Sequence, residues 1–110
     1  GYPTANLKPY HEAIPPKGVY GVKVSLVQRE PTRRPPKGHL GMLNIGTRPT
    51  FGKKGRVTLE VHLLDFQGNL YGKKVEVAFL KRLRPERKFP TPFALAARLR
   101  RDEVVVRRLP

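Results

Sequence analysis

Three segments of the sequence carry side chains that can take part in phosphate or proton-transfer chemistry. In the first segment, Thr4 and Asn6 alternate, so their side chains fall on one side of an extended chain. Their hydroxyl and amide oxygens are hard ligands that suit Mg²⁺, and their O–H and N–H groups can contact phosphate. A polar turn held by its own side-chain hydrogen bonds fits the same residues, so the segment alone leaves both interpretations open.

The second segment, residues 60–66 (EVHLLDF), begins with a carboxylate in a strand-like pattern. A carboxylate such as that of Glu60 can accept a proton from an alcohol while the alcohol attacks phosphorus. The alternative is an ordinary solvated sheet face, on which polar residues alternate with core residues. The pattern is compatible with both.

The third segment, residues 83–89 (LRPERKF), combines charged groups with one aromatic ring. Arg84, Glu86 and Phe89 together could present hydrogen-bonding groups and a flat apolar surface to a planar polar ligand. A plain charged loop before a helix is the alternative interpretation.

Other common sequence motifs of catalysis are missing. The sequence contains no P-loop pattern and no Gly-x-Gly-x-x-Gly segment after a strand. His11, His39 and His62 are far apart and lack metal-ligand spacing. The absence of cysteine excludes disulfides and thiolate metal sites, and it fits a reducing cytoplasm, the location we expect. No apolar run approaches the roughly 20 residues that span a bilayer.

The charge of the chain raises a competing function. The 110 residues include 23 Lys and Arg against eight Asp and Glu, a net charge of +15, which favours contact with polyanions. A basic β-barrel that binds RNA or DNA without catalysis is therefore the alternative. It predicts aromatic side chains interleaved with basic ones on one sheet face. Tyr20, Phe79 and Phe89 fall instead in strand cores or in the segments above, so we do not expect nucleic acid as a partner.

The periodicity of the apolar residues predicts strands that end in one helix. Apolar residues alternate with others in 20–26, 40–46, 56–64 and 73–80, and turns rather than helices separate these stretches, which favours an antiparallel sheet or barrel. In 56–64, Val57, Leu59, Val61 and Leu63 face one side and Glu60 the other. Residues 1–18 are predicted to form an irregular leader, and 29–38 and 47–55 loops. The remaining pattern predicts an amphipathic helix over 92–108, capped by Thr91.

Taken together, the segments resemble the riboflavin kinase family, in particular the C-terminal kinase module of bacterial bifunctional riboflavin kinase/FAD synthetases. The resemblance lies in an ordered set of motifs across nearly the whole chain. These are PTAN at 3–6, GVY at 18–20, NIG at 44–46, PTF at 49–51, EVHLLDF at 60–66, LYG at 70–72 and LRPE with KF in 83–89. It implies one domain over 1–110: a six-stranded antiparallel Greek-key β-barrel with a C-terminal α-helix.

The resemblance also assigns roles to the candidate residues. It implies transfer of the ATP γ-phosphate to the 5′-hydroxyl of riboflavin, which gives FMN and ADP. Glu60 matches the catalytic base, Thr4 and Asn6 match residues that hold Mg²⁺ and the ATP phosphates, and Tyr71 lies in the segment near the nucleotide.

On the flavin side, Arg84, Glu86 and Phe89 match the flap that closes over the flavin. In the family, a strand and a loop precede the segment around Pro3. The first barrel strand is therefore expected to be missing from this chain. The resemblance further implies a covalently linked adenylyltransferase domain as a partner in FMN and FAD biosynthesis.

Overall fold

The strands and the helix follow one another along the chain without interleaving. The computed structural model describes residues 2–8, 14–28, 33, 37–50 and 53–109. Within these residues the elements are β1 (Thr4–Leu7), β2 (Gly18–Leu26), β3 (His39–Thr50), β4 (Lys53–Leu63), β5 (Val75–Arg84) and α1 (Pro92–Arg107). The helix was predicted over 92–108. No helix among the described residues is long and apolar enough to cross a membrane.

The strands form one antiparallel sheet in the order β1-β4-β3-β2-β5. β2, β3 and β4 are successive neighbours, and β5 returns to pair with β2, which is the Greek-key arrangement. The predicted antiparallel Greek-key fold with a C-terminal helix is therefore confirmed. The predicted closure into a six-stranded barrel is not seen: five strands form an open sheet, and β1 and β5 are its unpaired edges within the described residues.

Two predicted irregular regions are strands. Residues 4–7, predicted to belong to an irregular leader, pair with 59–62 of β4. The described part of the predicted loop 47–55, residues 47–50 and 53–55, belongs to β3 and β4, in which Thr47 pairs with Val57 and Arg48 with Arg56. Both predictions were wrong for the same reason, because ladder hydrogen bonds join backbone groups and tolerate polar or basic side chains.

The two faces of the sheet differ in what covers them. The inner face carries an apolar cluster, namely Tyr20, Val22, Val24, Leu43, Ile45, Val61 and Leu63. The alternation predicted for β4 holds at its second half, whereas Val57 is 46% exposed beyond the edge of this cluster. Phe79, predicted to point inward, is also 46% exposed, although its ring meets the Tyr20 ring edge-on.

The outer face is covered only in part, by α1. Thr91 caps the helix, because its Oγ1 accepts a hydrogen bond of 3.0 Å from the Ala94 amide. Buried Leu99 and Val106 on α1 pack with outer-face residues that include Met42. The part of the outer face next to the start of the helix keeps an open cavity between the sheet and the chain that leads into α1.

Candidate active site

A row of polar side chains crosses three strands on the outer face. Asn6 on β1 lies opposite Glu60 on β4, and Glu60 lies opposite Asn44 on β3. Residues directly opposite each other in an antiparallel pair share a face, with Cβ atoms about 5 Å apart. Glu60 therefore stands between two amide side chains. The Oδ1 atom of Asn44 is buried and has no hydrogen-bond partner among the described residues.

A second row lies one step along the same strands. Thr4 pairs with His62, and His62 pairs with Met42. The Thr4 hydroxyl donates to the Tyr2 carbonyl oxygen at 3.0 Å and lies 2.9 Å from Nδ1 of His62. The other ring nitrogen of His62, Nε2, is 3.4 Å from Oε1 of Glu60. His62 thus lies between the hydroxyl on β1 and the Glu60 carboxylate on its own strand.

The protonation of His62 follows from its position. Burial lowers the pKa of the His62 imidazole below its usual value, and the Glu60 and Asp102 carboxylates oppose that shift. A neutral imidazole therefore faces Glu60 near neutral pH. The Glu60 carboxylate is consequently not held in an ion pair by this neighbour.

The cavity beside Glu60 has a volume of about 530 Å³, which lies in the range of small-molecule sites. Its floor is the outer face of the sheet and its roof is residues 86–92 together with the start of α1. The floor consists of Val19, Met42, Asn44, Glu60 and His62, and Arg84, Leu95 and Leu99 complete the wall. The lining of the cavity thus combines apolar side chains with carboxylate, amide and imidazole groups.

The roof is anchored through Arg84. Its Nε is 3.1 Å from both carboxylate oxygens of Asp102, and its Nη2 donates to Oδ2 of Asp102 at 2.8 Å. The guanidinium carbons of Arg84 and Arg87 each lie 5.6 Å from the centre of the Phe89 ring, within cation–π range. The ring that faces the cavity is therefore positioned by two arginines.

Glu86 lies against the floor of the site where the sheet has no side chain. A Cβ atom added to Gly46 would stand 2.5 Å from Oε2 of Glu86. Gly46 follows Asn44 by two positions on β3, so it shares the outer face. The absence of a side chain at Gly46 allows the Glu86 carboxylate to approach the sheet.

Most of the predicted site residues come together. Glu60, Arg84, Glu86 and Phe89 all line the one cavity. Thr4 and Asn6 lie beside it on β1, next to His62 and Glu60. Tyr71 does not join them: it lies between β4 and β5, its side chain is 94% exposed, and it is not part of the cavity wall.

Sequence reasoning missed four residues of the site: Asn44, Gly46, His62 and Asp102. Three of them carried a usable signal. Asn44 and Gly46 continue the period of two that begins at Leu40, which places them on one face of β3. Asp102 falls at helical spacing with Leu95, Leu99 and Val106, which placed a carboxylate on the buried stripe of α1.

The oxygen atoms of Thr4 and Asn6 beside Glu60 are of the chemical type that Mg²⁺ accepts next to phosphate. No group of three or more His, Cys, Asp or Glu side chains that could hold a metal occurs in the part of the chain that the structure describes. Mg²⁺ usually keeps several waters and takes only one or two protein ligands beside substrate phosphates. The Thr4 hydroxyl and the Asn6 amide supply two hard oxygens of that kind, both on β1.

An open antiparallel sheet with a carboxylate in the lining of a partly apolar cavity of small-molecule size is the architecture of a small-molecule-binding domain. The family model for riboflavin kinase (flavokinase) matches residues 1–109. The chain belongs to the riboflavin kinase family.

Relatives of similar sequence support this family assignment. The bifunctional riboflavin kinase/FMN adenylyltransferase of Haemophilus influenzae is 41% identical over 93% of this chain and 30% of its own length. The Escherichia coli K12 protein of the same name is 40% identical over 97% of this chain and 32% of its own length. A Bacillus subtilis relative, named an RNA-binding riboflavin kinase, is 35% identical over 93% of this chain and 40% of its own length. The chain thus spans about a third of the length of the bifunctional relatives.

A solved structure shares the fold. It is described as a macrolide-efflux protein from Streptococcus pneumoniae, and it superposes with a TM-score of 0.82 at 34% sequence identity. The match covers 99% of this chain and 33% of the other. The sheet and helix described above therefore recur as one part of a longer chain.

Proposed function

We propose that this domain phosphorylates riboflavin, moving the γ-phosphate of ATP to the riboflavin 5′-hydroxyl to give FMN and ADP. The observation that carries the proposal is the position of Glu60. Its carboxylate lies at the boundary between the 530 Å³ cavity and the exposed hydroxyl and amide of Thr4 and Asn6. One carboxylate thus borders both a space for a flavin and donors for phosphate.

The cavity has the chemistry of a flavin site. The Phe89 ring, with Leu95 and Leu99, offers apolar surface to a planar ring system. Glu86 and the unpartnered Oδ1 of Asn44 offer acceptors for ring N–H or ribityl O–H groups. A ligand that enters under residues 86–92 with its ribityl chain toward β4 would bring its terminal hydroxyl to Glu60.

The nucleotide belongs on the β1 side of Glu60. Thr4 and Asn6 would hold Mg²⁺ together with the phosphates, and the metal ion would neutralise charge that develops on the transferred group. The role of Tyr71 near the nucleotide stays a prediction. Phosphoryl transfer depends mainly on positioning and charge stabilisation, so a small set of such residues is sufficient.

In the transfer step, the riboflavin 5′-oxygen forms a bond to the γ-phosphorus while the bond from that phosphorus to the bridging oxygen of ADP breaks. Glu60 orients the hydroxyl and takes its proton, which later passes to solvent. His62, which lies 3.4 Å from Oε1 of Glu60, would limit the orientations open to this carboxylate. Thr4 fixes the other side of the imidazole.

The names of two relatives support a second, linked enzyme domain beside this one. Those of Haemophilus influenzae and Escherichia coli are named as riboflavin kinase and FMN adenylyltransferase in one chain. We therefore propose a covalently linked adenylyltransferase domain that uses the FMN made here, and a cytoplasmic location where ATP is available. The Bacillus subtilis relative is named as RNA-binding. In this chain the net charge of +15 is the one observation that favours RNA binding, so RNA binding is not part of the proposal.

The test is formation of FMN by the purified full-length protein with riboflavin, ATP and Mg²⁺, resolved by chromatography. Chelation of the metal and the substitution Glu60→Gln should each abolish most of the product. Glu76→Gln, which makes the same chemical change at an exposed position on β5, should leave turnover unchanged. A folded protein that makes no FMN and binds neither riboflavin nor ADP in a titration would refute the proposal.

A further inference from the structure

The helix carries a buried charge that the proposed reaction does not use. Asp102 lies in the third turn of α1 and is 3% exposed, the one buried charged residue in the part of the chain that the structure describes. It is not part of the cavity wall. Buried carboxylates are rare unless they are paired, so the pairing of Asp102 indicates what it does.

Its partner is Arg84, the last residue of β5. Three contacts of 2.8 to 3.1 Å join the Nε and Nη2 atoms of Arg84 to the two carboxylate oxygens of Asp102. Such a two-pronged pair fixes orientation as well as distance. The side chain of Arg84 is only 10% exposed, so water competes little with the pair. Arg98, one helical turn before Asp102, adds a looser contact of 3.4 Å.

The ion pair between Arg84 and Asp102 also bears on the roof of the cavity. Arg84 immediately precedes the segment 85–91, and its guanidinium, already bound to Asp102, lies 5.6 Å from the centre of the Phe89 ring. The segment itself contains no strand or helix that would hold it. Arg84 was predicted to face the flavin, but the donors that it turns toward Asp102 are not free for a ligand.

We propose that Asp102 is a positioning residue for riboflavin: by fixing Arg84 it sets the place of the Phe89 ring and of the roof over the cavity. This inference rests on the proposed kinase function and adds to it a residue that touches no substrate. Loss of the pair should weaken capture of the flavin and leave the phosphate side of the site intact. The expected sign is a rise in KM for riboflavin without a matching rise in KM for ATP.

The first experiment compares three variants of the full-length protein: Asp102→Asn, Arg84→Met and the two combined. We expect KM for riboflavin to rise about tenfold in Asp102→Asn, since small displacements of a positioning group have effects of this order or larger. If Asp102 acts through Arg84, adding Asp102→Asn to Arg84→Met causes no further rise, whereas independent effects multiply. Multiplied effects, or an unchanged KM in folded Asp102→Asn, would overturn the proposal.

A second readout does not depend on kinase activity. Hydrogen exchange followed by mass spectrometry should show faster exchange in residues 85–91 of Asp102→Asn, with β2 unchanged as the internal reference. Glu103→Gln is the matched control, because it makes the same carboxylate-to-amide change at the neighbouring position, whose contacts go to Tyr2 and Arg107 instead. It should alter neither KM for riboflavin nor exchange in 85–91.

The two readouts separate the possible failures. If the wild-type protein makes no FMN, the kinase proposal fails, and the exchange measurement still decides whether Asp102 holds the segment. If Asp102→Asn does not fold, the combined variant, which buries no unpaired charge, replaces it in both measurements. If residues 85–91 of a folded variant exchange hydrogen at the same rate as in the wild type, the positioning role is refuted.

Discussion

The two faces of the sheet are formed by alternate residues of the same strands, but one face is apolar and the other carries the polar groups of the site. Val61 on the inner face is 0% exposed and packs among apolar side chains, whereas its neighbours Glu60 and His62 face the cavity on the outer side. Asn44 on β3 likewise sits between buried Leu43 and Ile45. Alternate positions of one strand therefore carry stability and chemistry, and buried apolar side chains lie directly behind Asn44, Glu60 and His62.

The base of the site lies on strands, whereas its roof is a loop. Groups that need accurate placement, such as Glu60, are fixed by pairing on both sides of β4. The roof, by contrast, has no strand pairing, and side-chain contacts such as those of Arg84 with Asp102 and Phe89 hold it in place. The comparison predicts that changes on the outer face alter turnover or KM, and that changes on the inner face alter stability.

The largest expected effect is on turnover, from Glu60→Gln. The substitution keeps the shape of the side chain and removes its ability to take a proton, so kcat should fall about 10²- to 10⁴-fold. The melting temperature should stay close to that of the wild type, because Glu60 lies on the outer face. Steady-state FMN formation and thermal unfolding measure the two quantities. Normal turnover in this variant would remove Glu60 from the role of base.

An inner-face substitution should produce the opposite result. Leu63→Ala should lower the free energy of unfolding by about 2–5 kcal/mol, since Leu63 is 2% exposed and its truncation leaves a cavity. In the folded population, kcat should be close to the wild-type value. Urea unfolding with an activity assay tests this, and Leu26→Ala, at a position 37% exposed, is the control with a smaller cost. A selective loss of kcat in stable Leu63→Ala would contradict the division between faces.

A smaller effect is expected where the roof meets the floor. Gly46→Ala places a methyl group in the space of the Glu86 carboxylate, which must then move. We expect KM for riboflavin to rise about threefold to tenfold with little change in kcat. Gly55→Ala is the matched control, because its added Cβ would have no neighbour closer than 3.4 Å. Equal values of KM in the two variants would show that Glu86 is not needed against the sheet.

The smallest effect concerns the end of α1 away from the cavity and depends on pH. Burial and the 2.6 Å hydrogen bond to Glu103 raise the pKa of Tyr2 from 10.0 to about 12. A pKa raised in the folded state gives stability that is present below pH 10 and lost as the pH rises through about 12. The difference in unfolding free energy between wild type and Tyr2→Phe should therefore shrink over this interval. A difference that grows would contradict the assignment.

The sequence predicted the parts of the molecule that depend on periodicity. Alternation in 56–64 placed Glu60 and Val61 on opposite faces, and Thr91 with Pro92 marked the start of the helix. Residues 4–7 and 47–50 were missed as strands because their pairing partners, not their composition, extend them. The contact of Arg84 with Asp102 joins residues 18 positions apart in different elements, and no local pattern shows that they meet.

A crystal structure of the full-length protein with riboflavin, ADP and Mg²⁺ would test the role of Glu60 most directly. We expect the isoalloxazine ring under residues 86–92 against Phe89, with the 5′-hydroxyl about 3 Å from the Glu60 carboxylate. The ADP phosphates should lie on the β1 side, beside Thr4 and Asn6. A flavin bound elsewhere, or one whose 5′-hydroxyl points away from Glu60, would contradict the account.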